Sequence, residues 1–404
     1  MKRMLVPVAA LLAAALASPV ALAQKKYDPG ATDSEIKIGN IMPYSGPASS
    51  YGVIGRSEAA FFKMINEQGG INGRKIKFIS YDDAYSPPKA IEQARKLVEN
   101  DEVLFIFQAL GTPSNSAIHK YMNAKKVPQL FVATGATKWG DPKNFPWTMG
   151  WQPDYATEAS IYAKHIMANH PNAKVAVLYQ NDDSGKDYLN GFLEGFGKEK
   201  DKFLVKIVSY EITDPTVDSQ IIQLKDSGAD VFFIHATPKA APQAIRKVAD
   251  LGWKPVQYLV NVSASVAAVL KPAGFDNAKG IITAQYLKDA TDPQWADQAD
   301  FKEWQAWMKK YLPDANPADS GNVYAYAVSA TMRDCLTRCG DDLTRANLMK
   351  RAASMHNLEV PMLLPGIKIN TSPTDFYPIH SVRLAKFDGA KWSLFGDVLS
   401  NESA

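Results

Sequence analysis

Two short segments of the chain carry small polar residues of the kind that meet a bound molecule. After the apolar run ending at Phe107 come Gln108, Ala109, Leu110, Gly111, Thr112, Pro113 and Ser114. After Val132 come Ala133, Thr134, Gly135, Ala136 and Thr137. Each segment is predicted to follow a strand and open a helix, which puts both at the carboxyl edge of a parallel sheet, where open α/β folds hold ligands. Glycine lets the backbone approach a ligand, hydroxyls supply orientable hydrogen bonds, and a helix N-terminus favours an anion such as a carboxylate. Ser, Thr and Gly at helix starts are also ordinary caps, so alone these residues only mark positions.

Groups for covalent or metal chemistry are not arranged to act. The six histidines, His119, His165, His170, His235, His356 and His380, form no metal-spaced pair, and there is no C-x-x-C, G-x-S-x-G, P-loop or G-x-G-x-x-G motif. His235 alone stands at a predicted strand end, where ligands bind. Asp82 and Asp83 are adjacent on a strand and point to opposite faces, so they are expected to cap the following loop instead of sharing a cation. Trp295, Phe301, Trp304 and Trp307 fall mostly on one helical face and are expected in a core. No enzyme activity and no cofactor is therefore expected.

These positions need a scaffold, and the pattern supplies one. Short apolar runs at Ile36 to Met42, Ile76 to Tyr81, Val103 to Phe107 and Gln129 to Ala133 alternate with amphipathic segments such as Tyr51 to Gln68, which is the signature of β/α units with a parallel sheet. The rhythm restarts after Trp151, with strands at Lys174 to Gln180, Phe203 to Tyr210, Val231 to His235 and Gln257 to Val260. Helices follow from Trp295, and strands return at Ser381 to Phe387 and Trp392 to Val398. Two doubly wound lobes, with the chain crossing between them more than once, is the economical reading.

The first residues combine Lys2 and Arg3, an apolar run from Leu11 to Leu16, and Ala21-Leu22-Ala23. This is the pattern of an export signal, expected to be cleaved after Ala23 to leave a free periplasmic protein. The net charge of +3 falls further with the leader, so neither nucleic acid nor a membrane surface is an expected partner. Only two cysteines are present. Cys335 and Cys339 lie one helical turn apart beside Gly340, and in an oxidising compartment a local disulfide is expected, provided the last turn tightens to bring the β-carbons together.

The runs Ile38-Gly39-Asn40-Ile41-Met42-Pro43-Tyr44-Ser45-Gly46-Pro47, Tyr51-Gly52, Asn66-Glu67-Gln68-Gly69-Gly70-Ile71-Asn72-Gly73-Arg74 and Tyr81-Asp82-Asp83-Ala84 together resemble the leucine/isoleucine/valine-binding protein family of type I periplasmic binding proteins. The likeness continues through Asp183-Ser184-Gly185 and Tyr326-Ala327-Val328 to Phe387-Asp388-Gly389. It implies an α/β fold of two Rossmann-like lobes joined by a three-strand hinge, with lobe one over 33–153 plus 285–378 and lobe two over 154–284 plus 379–404. It also implies that Tyr51 covers a ligand whose carboxylate sits at Gly111, Thr112, Gly135, Ala136 and Thr137. In the second lobe the corresponding positions are Ser184, Ala236 with Thr237, and Asn261 or Val262, where the family's frequent acidic group is absent. Tyr85 and Leu110 stand where some members carry a disulfide.

The expected function is a monomeric substrate-binding protein that delivers a small carboxylate, apolar or aromatic in body, to permease subunits of an ABC importer in the inner membrane. Branched-chain or other aliphatic amino acids are the alternative ligands. A sensory partner of a membrane receptor is the alternative of another class.

Overall fold

The computed structural model describes residues 25–400; the expected leader, 1–23, lies outside them. Two sheets organise the chain. The first is five-stranded and wholly parallel, in the spatial order Lys75–Asp82, Glu35–Met42, Phe105–Phe107, Gln129–Val132, Thr148–Gly150. The second begins with the parallel strands Leu204–Tyr210, Val175–Gln180, Val231–Ile234, Val256–Leu259 and Ile282–Gln285. Two antiparallel strands, Ser381–Phe387 and Trp392–Ser400, then close its edge. Numbered along the chain, the five parallel strands of both sheets stand in the order 2-1-3-4-5. The switch point therefore falls between strands 1 and 3 of each sheet, and the crevice that a doubly wound sheet offers a ligand lies there.

The central strands are buried on both faces because helices cover both sides. Ile36, Ile38, Phe105, Phe107, Leu130 and Val132 are all inaccessible or nearly so. Gly52–Glu67 turns Ile54, Phe61, Phe62 and Ile65 inward, and the long helix Ser320–Cys339 packs beside it, with Phe61 meeting Tyr326 edge to face at 5.2 Å. Ala299–Tyr311 joins them through Trp307 against Tyr326 at 4.8 Å, and Trp295, Phe301, Trp304 and Trp307 are all core residues. These late helices thus lie on the first sheet although they follow the second in sequence. The chain passes between the two sheets three times, between 150 and 175, 285 and 299, and 352 and 381.

Two strands were absent from the sequence reading, and one of its expectations needed changing. The fifth strands, Thr148–Gly150 and Ile282–Gln285, carried no usable period because they span only three and four residues. The expected Cys335–Cys339 bridge is not formed. Both are free thiols, and Cys335 Sγ lies 3.9 Å from Met355 Sδ. The helix stays regular through Cys339, which keeps β-carbons four residues apart at about 5–6 Å, beyond the roughly 3.8 Å a disulfide prefers.

Candidate ligand-binding site

The carboxyl ends of the two sheets face each other across a cleft of about 110 Å³. Tyr51, Gly111, Thr112, Ser184, Thr237, Asn261 and Val262 all line it. Gly135, Ala136 and Thr137 do not, and their turn is used otherwise: the Thr137 amide and hydroxyl both donate to Asp187 of the opposite lobe, at 2.9 Å each. The turn is a clamp beside the cleft instead of part of its wall.

Gly111 has φ of +97°, and a β-carbon there would lie 2.4 Å from the ring of Tyr85. Only glycine lets that ring pack against the strand-to-helix turn. Tyr85 is itself held at φ +60°, a costly conformation for a bulky residue, and Asp83 fixes it. One oxygen of Asp83 accepts the Tyr85 amide and the other the Ser114 hydroxyl, at 2.9 and 2.6 Å. Asp82 accepts the amides of Tyr44, Ser45 and Ala84. Both aspartates are loop caps, as their alternation on the strand predicts.

The helix Thr112–Lys125 starts without a side-chain cap, and Pro113 has no amide hydrogen, so the amides of Thr112 and Ser114 are the ones left unclaimed by any side chain. The hydroxyl of Thr112 lies 2.6 Å from that of Thr134. Thr134 already accepts the Ala136 amide and the Trp139 indole N–H, both at 3.3 Å. Thr134 therefore offers its own hydrogen most readily to Thr112, and no acceptor among the described residues takes the Thr112 hydrogen.

Ring walls dominate the rest. Tyr51, Tyr85, Tyr155, Tyr286 and Tyr324 all line the cleft. Tyr155 stacks on Tyr188 at 4.2 Å, and Trp151 supports Tyr324 edge to face at 5.3 Å. Of these five, Tyr51 alone was legible beforehand. The others come from four separate segments with no shared motif.

Charge is sparse and mostly acidic. Lys288, which lines the cleft, is paired with Asp300 at 2.5 Å. Asp289 and Asp319 also line it; one oxygen of Asp289 is taken by Thr291, and one of Asp319 by Gly321 and Ser265. Burial raises the pKa of both. Asp154 caps its helix through the Thr157 amide and does not reach the cleft lining. Near Asn261 the structure places an acid that the sequence did not reveal. Glu158 is buried directly behind it, accepting the Asn261 amide and Tyr162 hydroxyl on one oxygen and the Tyr188 hydroxyl on the other. Burial lifts its pKa to about 7, against the pull of those donors. No metal-holding cluster exists among the described residues.

The sequence model of the periplasmic binding protein family matches residues 35–391. A Leu/Ile/Val-binding protein homolog of Brucella melitensis is 26% identical over 333 residues, which is 80% of this chain and 85% of that protein. A branched-chain amino acid ABC transporter structure from Thermus thermophilus with bound valine superposes with a TM-score of 0.82 at 15% identity, over 91% of this chain and 97% of that one. A solute-binding protein from Rhodopseudomonas palustris in complex with 3,4-dihydroxybenzoic acid does so at 0.75 and 21%, over 91% and 98%.

Proposed function

The chain belongs to the periplasmic binding protein family, of the leucine/isoleucine/valine-binding type, and from that premise we propose that it captures a small carboxylic acid with an apolar or aromatic body and presents it to the permease of an ABC importer. It is not an enzyme: its homologues bind substrates for transport.

The observation that carries the carboxylate is Thr112, a hydroxyl whose hydrogen no described protein group takes, beside the uncapped start of its helix. An anion suits such a site and a cation does not. The body of the ligand meets five tyrosine rings with Val53, Ile54, Leu110 and Leu287, and aromatic rings favour stacked or edge contacts with one another. Size agrees: one water needs roughly 10–15 Å³ of such space, so the cleft suits a ligand of roughly ten heavy atoms. A solute-binding protein of the same fold holds 3,4-dihydroxybenzoic acid, which supports an acid of that kind as the ligand.

Glu158, the acid nearest Asn261, has both oxygens occupied inside the protein, so it offers no acceptor to an α-ammonium, and an unpaired buried ammonium costs several kcal/mol. A second reading rests on Asp289 and Asp319, each of which turns only one oxygen to a protein partner. If either accepts an ammonium, the ligand is a branched-chain or other aliphatic amino acid. Calorimetric titration of ligand-stripped protein with benzoate, 4-hydroxycinnamate, leucine and valine decides. The proposal expects heat from the aromatic acids, and tight binding of leucine with no response to either aromatic acid overturns it.

A further inference from the structure

We propose that His235 fixes Ser184 as a hydrogen-bond donor into the cleft, so that the second lobe, like the first, presents a donor hydroxyl to an oxygen of the ligand. His235 follows the strand Val231–Ile234 and Ser184 lies in the first turn of the helix Asp183–Phe196, so the pair straddles the switch point of the second sheet. Both residues line the cleft and are more than nine-tenths buried.

The polarity follows from a chain of three groups. The backbone amide of Gln180 donates to His235 Nδ1 at 3.2 Å, so Nδ1 carries no proton. A neutral ring then bears its hydrogen on Nε2, which lies 3.1 Å from Ser184 Oγ. Nε2 can only donate, Ser184 Oγ accepts, and the serine hydrogen is free to point elsewhere. No acceptor among the described residues takes it, and the open direction is the cleft. The amide of Gln180 belongs to a strand and cannot rotate, which makes the tautomer a property of the fold. Burial against the Tyr188 ring, 4.7 Å away, disfavours the imidazolium and pushes the histidine pKa down to about 3. Among the described residues no ion partner faces the ring; Gln180, Ser184 and Tyr188 pack against it, and its own backbone carbonyl pulls the pKa the other way without overcoming burial.

This assignment makes His235 a positioning residue and Ser184 a specificity residue. It rests on the cleft being the ligand site, and it adds that the second lobe also selects for an acceptor on the ligand. Two measurements separate it from a purely structural role. Long-range 1H–15N correlation on 15N-labelled protein should show His235 protonated on Nε2 alone from pH 5 to pH 8, and an Nδ1–H tautomer or an imidazolium overturns the proposal. Titration with the acid that binds, benzoate or leucine, should show Ser184→Ala about tenfold weaker and His235→Leu five- to tenfold weaker. His235→Gln, whose amide can still donate to Ser184, should fall within threefold of the unaltered protein. Equal loss for His235→Gln and His235→Leu at matched thermal stability, or no loss for Ser184→Ala, also overturns it. Should neither acid bind the unaltered protein, the reading of the ligand is at fault, and the histidine tautomer alone decides the assignment.

Discussion

The phenol of Tyr51 donates a 3.1 Å hydrogen bond to the carbonyl of Val262, joining the start of a first-lobe helix to a second-lobe loop across the cleft. On the proposed reading the lobes close on a ligand, and a contact between them then stabilises the closed form. A neutral hydrogen bond contributes about 1 kcal/mol net. Tyr51→Phe should therefore weaken ligand binding about fivefold in calorimetry while leaving the melting temperature of the ligand-free protein nearly unchanged. Unaltered affinity would show that the bond contributes nothing to closure.

On the other side of the cleft Asp187 and Asp183 both take polar contacts from the first lobe, Asp183 including the Ser116 hydroxyl at 3.1 Å, and the two aspartates should differ in worth. Asp187 accepts both the amide and the hydroxyl of Thr137, whereas Lys138 pairs with Asp183 at 2.8 Å between side chains that are 41% and 48% exposed. Exposed ion pairs contribute little. Asp187→Ala should weaken binding about tenfold and enlarge the radius of gyration measured by X-ray scattering in the presence of ligand. Asp183→Asn should stay within about twofold on affinity. Reversal of that order would assign the closure to charge instead of to the Thr137 turn.

Glu158 should make the protein less stable as pH rises through the weakly acidic range. Its carboxyl titrates near 4.5 when unfolded and at about 7 when folded, chiefly because burial penalises the anion. The folded protein thus holds a proton that the unfolded chain has released, and stability falls between those values and stays lower above them. The shift corresponds to roughly 2–4 kcal/mol. Urea unfolding between pH 4.5 and 7.5 should show this decline, and Glu158→Gln, which keeps the shape without the charge, should flatten it. An unchanged slope in the variant would place the titrating group elsewhere.

Gly111→Ala should lower both stability and affinity. The added β-carbon meets the Tyr85 ring and the residue must hold φ of +97°, a conformation that costs a non-glycine residue of order 1–3 kcal/mol. The melting temperature should drop by several degrees. Pairing the change with Tyr85→Ala should recover part of the stability but not the binding, because the ring contact with the ligand is then gone. A double variant no more stable than Gly111→Ala would show that backbone strain, not the ring, sets the loss.

The alternation of buried strands with amphipathic helices is a local property, written at spacings of two and three to four residues, and it placed eight of the parallel strands and the long helices near their observed bounds. The strand-to-helix turn at Gly111 and Thr112 was legible for the same reason: where a parallel strand ends, the next helix begins, and the ligand edge follows. What lay beyond local pattern was decided by tertiary structure. Gly135, Ala136 and Thr137 read like their counterparts, yet Asp187 from the other lobe draws that turn into a clamp. Tyr85, Tyr155, Tyr286 and Tyr324 are unremarkable singly and become one wall because four separate segments of the chain converge there. The donor roles of Thr112 and Ser184 depend on Thr134 being engaged by Trp139 and on His235 being met by a strand amide. A hydroxyl's direction is set by its neighbours' lone pairs, and those neighbours are assembled only when the sheets close over them.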